Sequence, residues 1–404
     1  MAANDVRQQL DRLVRRADRV VSEEELAERL REGKPLRVKL GLDPTARDVT
    51  LGWAVPLRKL REFQDEGHLA VLIVGDFTAR IGDPSGKSET RPQLSKEEVK
   101  DHADKLLDQF SDIVSQDNLE VRYNSEWLEP MGFDDILKLT SRYTVAQMLE
   151  RDDFSKRFAA NRPISIIEFM YPLGQAYDSV AVEADVELGG GDQIFNLLVG
   201  RDIQRAYGQR PQICLTMPLL EGLDGVQKMS QSLNNYISIR EAPQEMFGKL
   251  MSIPDSVVVR YGFLAADFKD EDLHDLEVAV KRGGPEAGEA KRKVARRVVA
   301  MYQGEEAVAE AEADFDRKFK EHQAPEEVPE AAVPSDAIDG EVVYLPRVLA
   351  ELGLASSRSE ARRLLAQGGV RINGDQTSSE EITLAELRGA LLQVGKRRYV
   401  RLTG

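Results

Sequence analysis

The sequence predicts an α/β domain on a parallel sheet, then an α-helical region and a small α+β unit. Three observations carry this. Residues 39–53, KLGLDPTARDVTLGW, pass from a short apolar strand through a turn bearing Pro44 into a helix. The run 69–74, LAVLIV, is apolar throughout, as in a strand covered on both faces of a parallel sheet. Together they form a βαβ unit of the kind found in nucleotide-binding α/β domains. Beyond residue 340, two short helical patterns precede short strand patterns.

At 404 residues the chain suggests roughly two or three domains. Apolar residues at 42% and charged residues at 31% describe an ordinary globular protein. No apolar run reaches membrane-spanning length, and the start, with Asp5, Arg7, Asp11 and Arg12, lacks an apolar signal core; a cytoplasmic location without membrane attachment is expected. The single cysteine, Cys214, excludes an internal disulfide and a cysteine-based metal site and reads as a buried core thiol. His68, His102, His274 and His322 are scattered through charged or helical contexts and read as surface residues, so no protein-ligated metal is expected. The net charge of −15 argues against a generic nucleic-acid binder. Residues 341–404 differ, with ten Arg and Lys against seven Asp and Glu.

Residues 4–33 read as helix, with Leu10, Leu13, Val14, Val20, Leu26 and Leu30 as its buried set and Ser22 with Glu25 as a capping box for the second half. After the strand at 38–42, Ala54, Val55, Leu57, Leu60 and Phe63 recur at helical spacing. The N–H groups at such a helix start point outward and favour phosphate, making this a candidate nucleotide site. Residues 75–91, GDFTARIGDPSGKSETR, read as a mobile surface loop. Its Lys87 and Arg91 are either solvated charges or ligand contacts, since they lie just beyond the carboxyl end of a buried parallel strand. Ser95 with Glu98 caps a helix that places Val99, Ala103, Leu106, Leu107, Phe110 and Val114 on one face. Residues 143–158 read as a helix with a charged outer face.

Tyr171, Gln175 and Asp178 stand at i, i+4 and i+7 and therefore share a helix face. On an otherwise apolar helix they need polar partners: one another, water or a ligand. Gly189, Gly190 and Gly191 then let the backbone approach a ligand closely, ahead of Asp192 and Gln193. Residues 240–319 read as mainly helical; Lys291, Arg292, Lys293, Arg296 and Arg297 form either a solvated face or an RNA-facing cluster. Residues 323–340, with Pro325, Pro329, Pro334 and several glutamates, read as a linker.

Five stretches occur in a telling order: DPT at 43–45 with TLGW at 50–53, GDPSGK at 82–87, GGGDQ at 189–193, KMSQS at 228–232, and SRSEARRLLAQGGVRINGD at 357–375. Nearly the whole chain resembles the class I aminoacyl-tRNA synthetases, in the form of the longer bacterial tyrosyl-tRNA synthetases. The resemblance implies a Rossmann-like catalytic domain with a parallel sheet at 1–235, including N-terminal helices and a dimer-interface insertion in which 143–158 falls. It further implies an α-helical anticodon-side domain at 236–322, the linker at 323–340, and a small RNA-binding domain of the ribosomal-protein type at 341–404. By the same resemblance Asp83, Tyr171 and Gln175 hold the amino group of tyrosine, Asp178 faces its hydroxyl and Gln193 lies near its carboxylate. ATP meets Asp43, Gly52, Trp53, Gly190, Asp192 at the ribose, and Lys228, Met229, Ser230 and Gln231. Thr45, Thr50, Lys87, Arg91 and Lys228 serve the reacting phosphates. Arg358, Arg362, Arg363, Arg371, Lys396, Arg397 and Arg398 supply phosphate contacts to structured RNA. The implied partners are tyrosine, ATP with its Mg2+, tRNA(Tyr) and a second copy of the chain.

The chain departs from the family pattern at several points. Thr50-Leu51-Gly52-Trp53 stands where His-Leu-Gly-His is usual, and Gly191, Ile194, Gln231 and Asn234 are further differences. The implied reaction is attack of the tyrosine carboxylate on the α-phosphate of ATP, then transfer to the terminal ribose of tRNA. The carboxylate is already a nucleophile, so positioning and neutralisation of the departing pyrophosphate carry the rate. Thr50 can donate one hydrogen bond to phosphate; Trp53 offers one N–H and a bulk that stacks on adenine or blocks it. Losing one transition-state contact typically costs about 2.7–4 kcal/mol, which leaves a slower but useful enzyme. The rival reading is a non-catalytic paralogue that binds tyrosine and RNA as a sensor or regulator. Lys87, Arg91 and Lys228 favour the enzyme, because a tyrosine sensor has no use for pyrophosphate contacts. An unrelated nucleotide-binding α/β protein would leave the C-terminal pattern unexplained.

Overall fold

The computed structural model describes residues 3–44, 47–82, 96–319, 328–395 and 398–403. Its chain forms two compact units, Met1–Glu305 and Glu306–Gly404. In chain order the first unit holds α1 (Ala3–Val14), β1 (Arg19–Val21), α2 (Glu23–Arg31), β2 (Arg37–Leu42), α3 (Leu51–Asp65) and β3 (Leu69–Val74). Next come α4 (Lys96–Phe110), β4 (Leu119–Tyr123), α5 (Ser125–Leu128), α6 (Phe133–Thr140), α7 (Val145–Met148) and α8 (Asp152–Ala159). They are followed by α9 (Ile166–Ala181), β5 (Val186–Gly190), α10 (Ile194–Ala206), β6 (Ile213–Met217), α11 (Pro243–Ser252), α12 (Val258–Leu264), α13 (Asp270–Arg282) and α14 (Gly284–Gln303).

The sheet runs β1-β6-β5-β2-β3-β4. Only the edge pair of β1 and β6 is antiparallel; the other neighbours are parallel. Val38, Leu40 and Leu42 of β2 and Ala70 to Val74 of β3 are buried, as strands covered on both faces require. From β2 the chain winds outward through β3 and β4, then returns to place β5 on the other side of β2. The order therefore reverses between β2 and β5, and the carboxyl ends of these strands flank the crevice where ligands bind in open α/β sheets.

Several expectations change. Residues 4–33 are not one helix: Arg16 has a φ of 67°, and the β-branched pair Val20-Val21 leaves the helix to form β1, opposite Leu215 and Cys214. Ser22 does start α2, its hydroxyl accepting from the Glu25 N–H at 3.2 Å. Two histidines read as surface residues are buried because each satisfies a backbone group. His68 Nδ1 accepts from the Leu36 N–H at 3.2 Å, and burial pushes its pKa down. His102 Nδ1 lies 3.1 Å from the Pro44 carbonyl. Residues 143–158 form two short helices, α7 and α8, rather than one. In the loop after β3, the turn Thr78–Arg80 is helical and Thr78 is buried, so this part is packed structure rather than mobile surface. Cys214 is buried as expected.

No break falls near residue 235. Leu51 at the start of α3 donates to the Ile237 carbonyl at 2.9 Å, and Arg58 donates to the Ala265 carbonyl at 2.6 Å, so helices α11 to α14 belong to the sheet's own unit. The basic cluster on α14 is largely paired within this unit, part of it at the surface. Lys291 pairs with Asp255, Lys293 with Asp272 and Arg296 with Glu289, Arg292 is buried, and Arg297 donates to the Ala266 carbonyl.

The second unit holds α15 (Glu305–Phe319), β7 (Glu330–Ala332), β8 (Ile338–Asp339), β9 (Val342–Tyr344), α16 (Leu345–Glu351), α17 (Arg358–Ala366), β10 (Val370–Ile372), β11 (Asp375–Thr377), β12 (Glu381–Thr383), α18 (Leu384–Leu387), β13 (Leu391–Val394) and β14 (Arg398–Thr403). Val343, Leu349, Leu365, Val370, Leu392 and Leu402 form part of its core. The stretch expected to be linker contributes to this fold from Glu330 onward. β7 pairs in parallel with β14, Glu330 opposite Arg401, because its alternating residues supply the missing edge of the sheet.

Candidate active site

Tyr171, Gln175 and Asp178 line one face of α9 as their spacing requires, and among the described residues each has a partner of its own. Each meets a different element. The Tyr171 hydroxyl donates to Asp43 Oδ2 at 2.7 Å, just past the end of β2, while Thr78 Oγ1 donates to Asp43 Oδ1 at 3.0 Å. Asp43, expected on the ATP side, thus bonds both Tyr171 and Thr78. Gly75 makes room for it: a Cβ there would lie 2.1 Å from Asp43 Oδ1.

Asp178 is 3% exposed. Its Oδ1 accepts from Trp127 Nε1 at 2.8 Å and its Oδ2 from Asn124 Nδ2 at 3.4 Å. Asn124 also donates to Thr78 Oγ1 at 3.0 Å and accepts from the Phe77 N–H at 2.9 Å, which locks its amide. Burial pushes the Asp178 carboxyl up to about 7, against the opposing pull of Lys39, Trp127 and Asn124. A carboxylate held this way, beyond the carboxyl ends of the central strands, is suited to accept a hydrogen bond from a polar ligand group such as a hydroxyl.

Beneath this face lies a buried carboxylate, Glu187, 1% exposed on β5 and in register with Lys39 on β2. Lys39 Nζ pairs with Glu187 Oε1 at 2.9 Å and also reaches the Gln175 carbonyl at 3.0 Å and Ser179 Oγ at 2.7 Å. Glu187 further accepts from Gln175 Nε2 at 3.1 Å, Ser179 Oγ at 3.3 Å and Gln212 Nε2. Asn196, buried on α10, donates from Nδ2 to Gln175 Oε1 and to Gln193 Oε1, both at 3.0 Å, and accepts from Arg151 at 3.3 Å.

On the other side of β5, Gly190 is packed closely: a Cβ would sit 2.7 Å from Asp192 Oδ1 and 2.9 Å from Leu219 Cδ2, so both side chains would have to shift. Lys228 Nζ pairs with Asp192 Oδ2 at 2.7 Å, so the cation of the KMSQS segment reaches the Asp192 carboxylate. Ser230 is fixed through its N–H to Asn235 Oδ1 at 2.8 Å, and Gln231 Nε2 donates to the Asp48 carbonyl. Asn234 has a φ of 52°, a left-handed conformation that asparagine adopts more readily than most residues bearing a side chain.

The start of α3 differs from the expectation of outward N–H donors. The Leu51 N–H goes to the Ile237 carbonyl, the Gly52 N–H to Met229 Sδ at 3.3 Å, and the Trp53 N–H to Thr50 Oγ1 at 3.3 Å. Thr50, 2% exposed, caps α3 with its hydroxyl oxygen. The Trp53 ring leans toward Phe110 of α4, with centroids 6.4 Å apart.

Thr45, Asp83, Lys87, Arg91, Lys396 and Arg397 lie outside the described residues. In the second unit Arg358, Arg362, Arg363 and Arg398 are exposed and Arg371 is half-buried. Arg362 stacks over Tyr344 and pairs with Glu380, Arg371 reaches the Gly374 carbonyl and Arg398 the Leu354 carbonyl. These last three are braced against the fold as well as facing solvent.

Sequence reasoning missed Thr78, Asn124, Trp127, Lys39, Glu187 and Asn196. For the ion pair a signal existed: one lysine in Val38-Lys39-Leu40 and one glutamate in Val186-Glu187-Leu188 are lone opposite charges inside buried strands. Asn124 and Trp127 carried only their place after β4, where strand carboxyl ends converge.

The chain is similar to known proteins over most of its length. The family model for tRNA synthetases class I (W and Y) matches residues 31–320, and that for the S4 domain matches 345–378. A tyrosine–tRNA ligase of Carboxydothermus hydrogenoformans is 49% identical over 100% of this chain and 99% of its own length. One from Thermotoga maritima is 49% identical over 95% of this chain and 94% of its own. Among solved structures, a C-terminally truncated mitochondrial tyrosyl-tRNA synthetase of Aspergillus nidulans superposes with a TM-score of 0.64 at 20% identity, covering 78% of this chain and 97% of that one. One from Archaeoglobus fulgidus, complexed with L-tyrosine, gives 0.61 at 23% identity, covering 76% and 99%. These two likenesses concern the fold.

Proposed function

The chain belongs to the class I tRNA synthetases, in their tyrosine–tRNA ligase branch, and from that premise we propose which of its residues perform the ligation of tyrosine to tRNA with ATP. The observation that supports the assignment is the polar face of α9, whose three side chains are each held by a separate partner around the crevice between β2 and β5. Asp178 accepts a hydrogen bond from the phenol of the substrate, with Trp127 and Asn124 aiming its carboxylate. Tyr171, oriented by Asp43, and Gln175 hold the ammonium, and Gln193 the carboxylate. A site built to bond a hydroxyl rejects phenylalanine, because Asp178 would be left without that partner.

Asp192 receives the ribose, and Lys228 moves from Asp192 to the phosphates as the nucleotide enters. Thr45, Asp83, Lys87 and Arg91 complete the assignment, Asp83 at the ammonium and the others at the phosphates. Mg2+ arrives on ATP and offsets phosphate charge; among the described residues no group of three or more His, Cys, Asp or Glu could hold a metal ion. The second unit binds tRNA(Tyr) through Arg358, Arg362, Arg363, Arg371, Lys396, Arg397 and Arg398. A homodimer fits the apolar side chains on residues 133–167: Ile166 is 80% exposed and Phe133 74%, with Phe158, Val145, Ile167 and Leu137 also bared. The protein works in the cytoplasm, with translation; no described helix is long and apolar enough to cross a membrane.

Tyrosine-dependent ATP–pyrophosphate exchange tests the assignment. Asp178→Ala should abolish exchange at tyrosine concentrations that saturate the wild type. Exchange that survives with an unchanged tyrosine KM would refute the role given to Asp178.

A further inference from the structure

Two glutamines are assigned to the amino-acid end of the substrate, and an amide is useful only if the correct end faces the ligand. A reversed glutamine offers NH2 to an ammonium or oxygen to a carboxylate, which converts attraction into repulsion. The structure contains a chain of hydrogen bonds with one possible direction.

Arg151 begins it. A guanidinium has donors and no acceptor, so its contact at 3.3 Å obliges Asn196 to present Oδ1. The NH2 of Asn196 must then face the opposite way, where it meets Gln175 Oε1 and Gln193 Oε1, both at 3.0 Å. Gln175 is fixed independently from its other end, since Glu187 accepts from its Nε2 at 3.1 Å and is itself anchored by Lys39 at 2.9 Å. Arg151 and Asn196 are 6% and 2% exposed, so water does not compete for these bonds.

We propose that Asn196 is a positioning residue for amino-acid recognition, set by Arg151, that turns both glutamines to the end the substrate requires. The proposal rests on the assignment of Gln175 to the ammonium and Gln193 to the carboxylate. With Oε1 of Gln193 taken by Asn196, its NH2 is the end turned away from Asn196, toward the substrate carboxylate. Gln175 Oε1 has a second lone pair to offer the ammonium, while its nitrogen is committed to Glu187. Arg151 immediately precedes α8, so the orientation of the site is anchored in the segment between β4 and α9 that bears the exposed apolar side chains.

The test uses Asn196→Asp in the full-length protein. The carboxylate has the shape of the amide and keeps its contact with Arg151, but donates to neither glutamine. In pyrophosphate exchange the tyrosine KM should rise about tenfold or more, the change expected when one or two bonds to charged substrate groups are lost. The KM for ATP and the melting temperature should stay near wild type. Tyrosinol, which lacks the carboxylate, should lose less affinity than tyrosine. An unchanged tyrosine KM, or equal rises in both KM values, would overturn the proposal. Should Asn196→Asp fail to fold, Arg151→Met serves in its place: it frees the Asn196 amide to reverse, and again only the tyrosine KM should rise. Gln175→Ala and Gln193→Ala are measured beside them. If these leave the tyrosine KM unchanged, the underlying assignment is wrong; if they raise it while Asn196→Asp does not, the positioning role is wrong.

Discussion

The indole N–H of Trp127 donates to Asp178 Oδ1 at 2.8 Å, joining the short helix after β4 to the most deeply buried carboxylate on the polar face of α9. Replacing Trp127 by Phe removes the donor and keeps most of the bulk. Preference for tyrosine over phenylalanine, taken as the ratio of kcat/KM values in exchange, should fall by about tenfold.

The same carboxyl predicts a pH dependence. Burial lifts Asp178 from 3.8 to about 7, so the folded protein holds an extra proton between those values. Its contribution to stability is therefore full below the unfolded value and is lost as pH rises through about 7. Tyrosine binding runs the other way, since the phenol needs an ionised acceptor. The tyrosine KM should fall as pH rises from about 6 to about 8, and Asp178→Asn should flatten that profile.

Lys39 and Glu187 are 0% and 1% exposed, and separating a buried pair leaves a charge without compensation. Lys39→Met should destabilise the protein by about 3–5 kcal/mol in a denaturant titration. The double variant Lys39→Met with Glu187→Gln should regain much of the loss, because no lone charge then remains.

Thr50→Val keeps the shape and deletes the cap on α3. About 1 kcal/mol of stability should disappear, while exchange activity changes by less than about tenfold. A fall of a hundredfold or more would restore to Thr50 the phosphate role that its burial argues against.

Arg358 and Arg363 stand exposed on α17. Changing both to Ala should weaken tRNA charging and lower the slope of log affinity against log salt by up to about 0.9 per lost phosphate contact. Pyrophosphate exchange should not change, since it needs no RNA.

The parallel strands and the polar face of α9 were legible because apolar runs and an i, i+4, i+7 spacing are local properties of the chain. What local pattern could not supply was the partners. Asp43 is 128 positions from Tyr171, Trp127 is 51 from Asp178 and Lys39 is 148 from Glu187 in sequence, and only the sheet brings them together. The same limit explains the buried histidines and the α14 cluster, where charged or helical surroundings suggested solvent but neighbouring elements supplied bonds. At residues 330–332 proline-rich flanks concealed a strand whose partner lies at the far end of the unit.

The bond from the Gly52 N–H to Met229 Sδ has a bearing on inhibition by simple salts. An open helix start collects any anion in the buffer, and chloride or sulfate would then compete with the nucleotide. Here an entering anion must first displace a thioether. That exchange gives little advantage to a small ion with one contact to make. Under the assignment proposed above it favours a polyphosphate, which would recover the displaced bond and engage Lys228 in the same step.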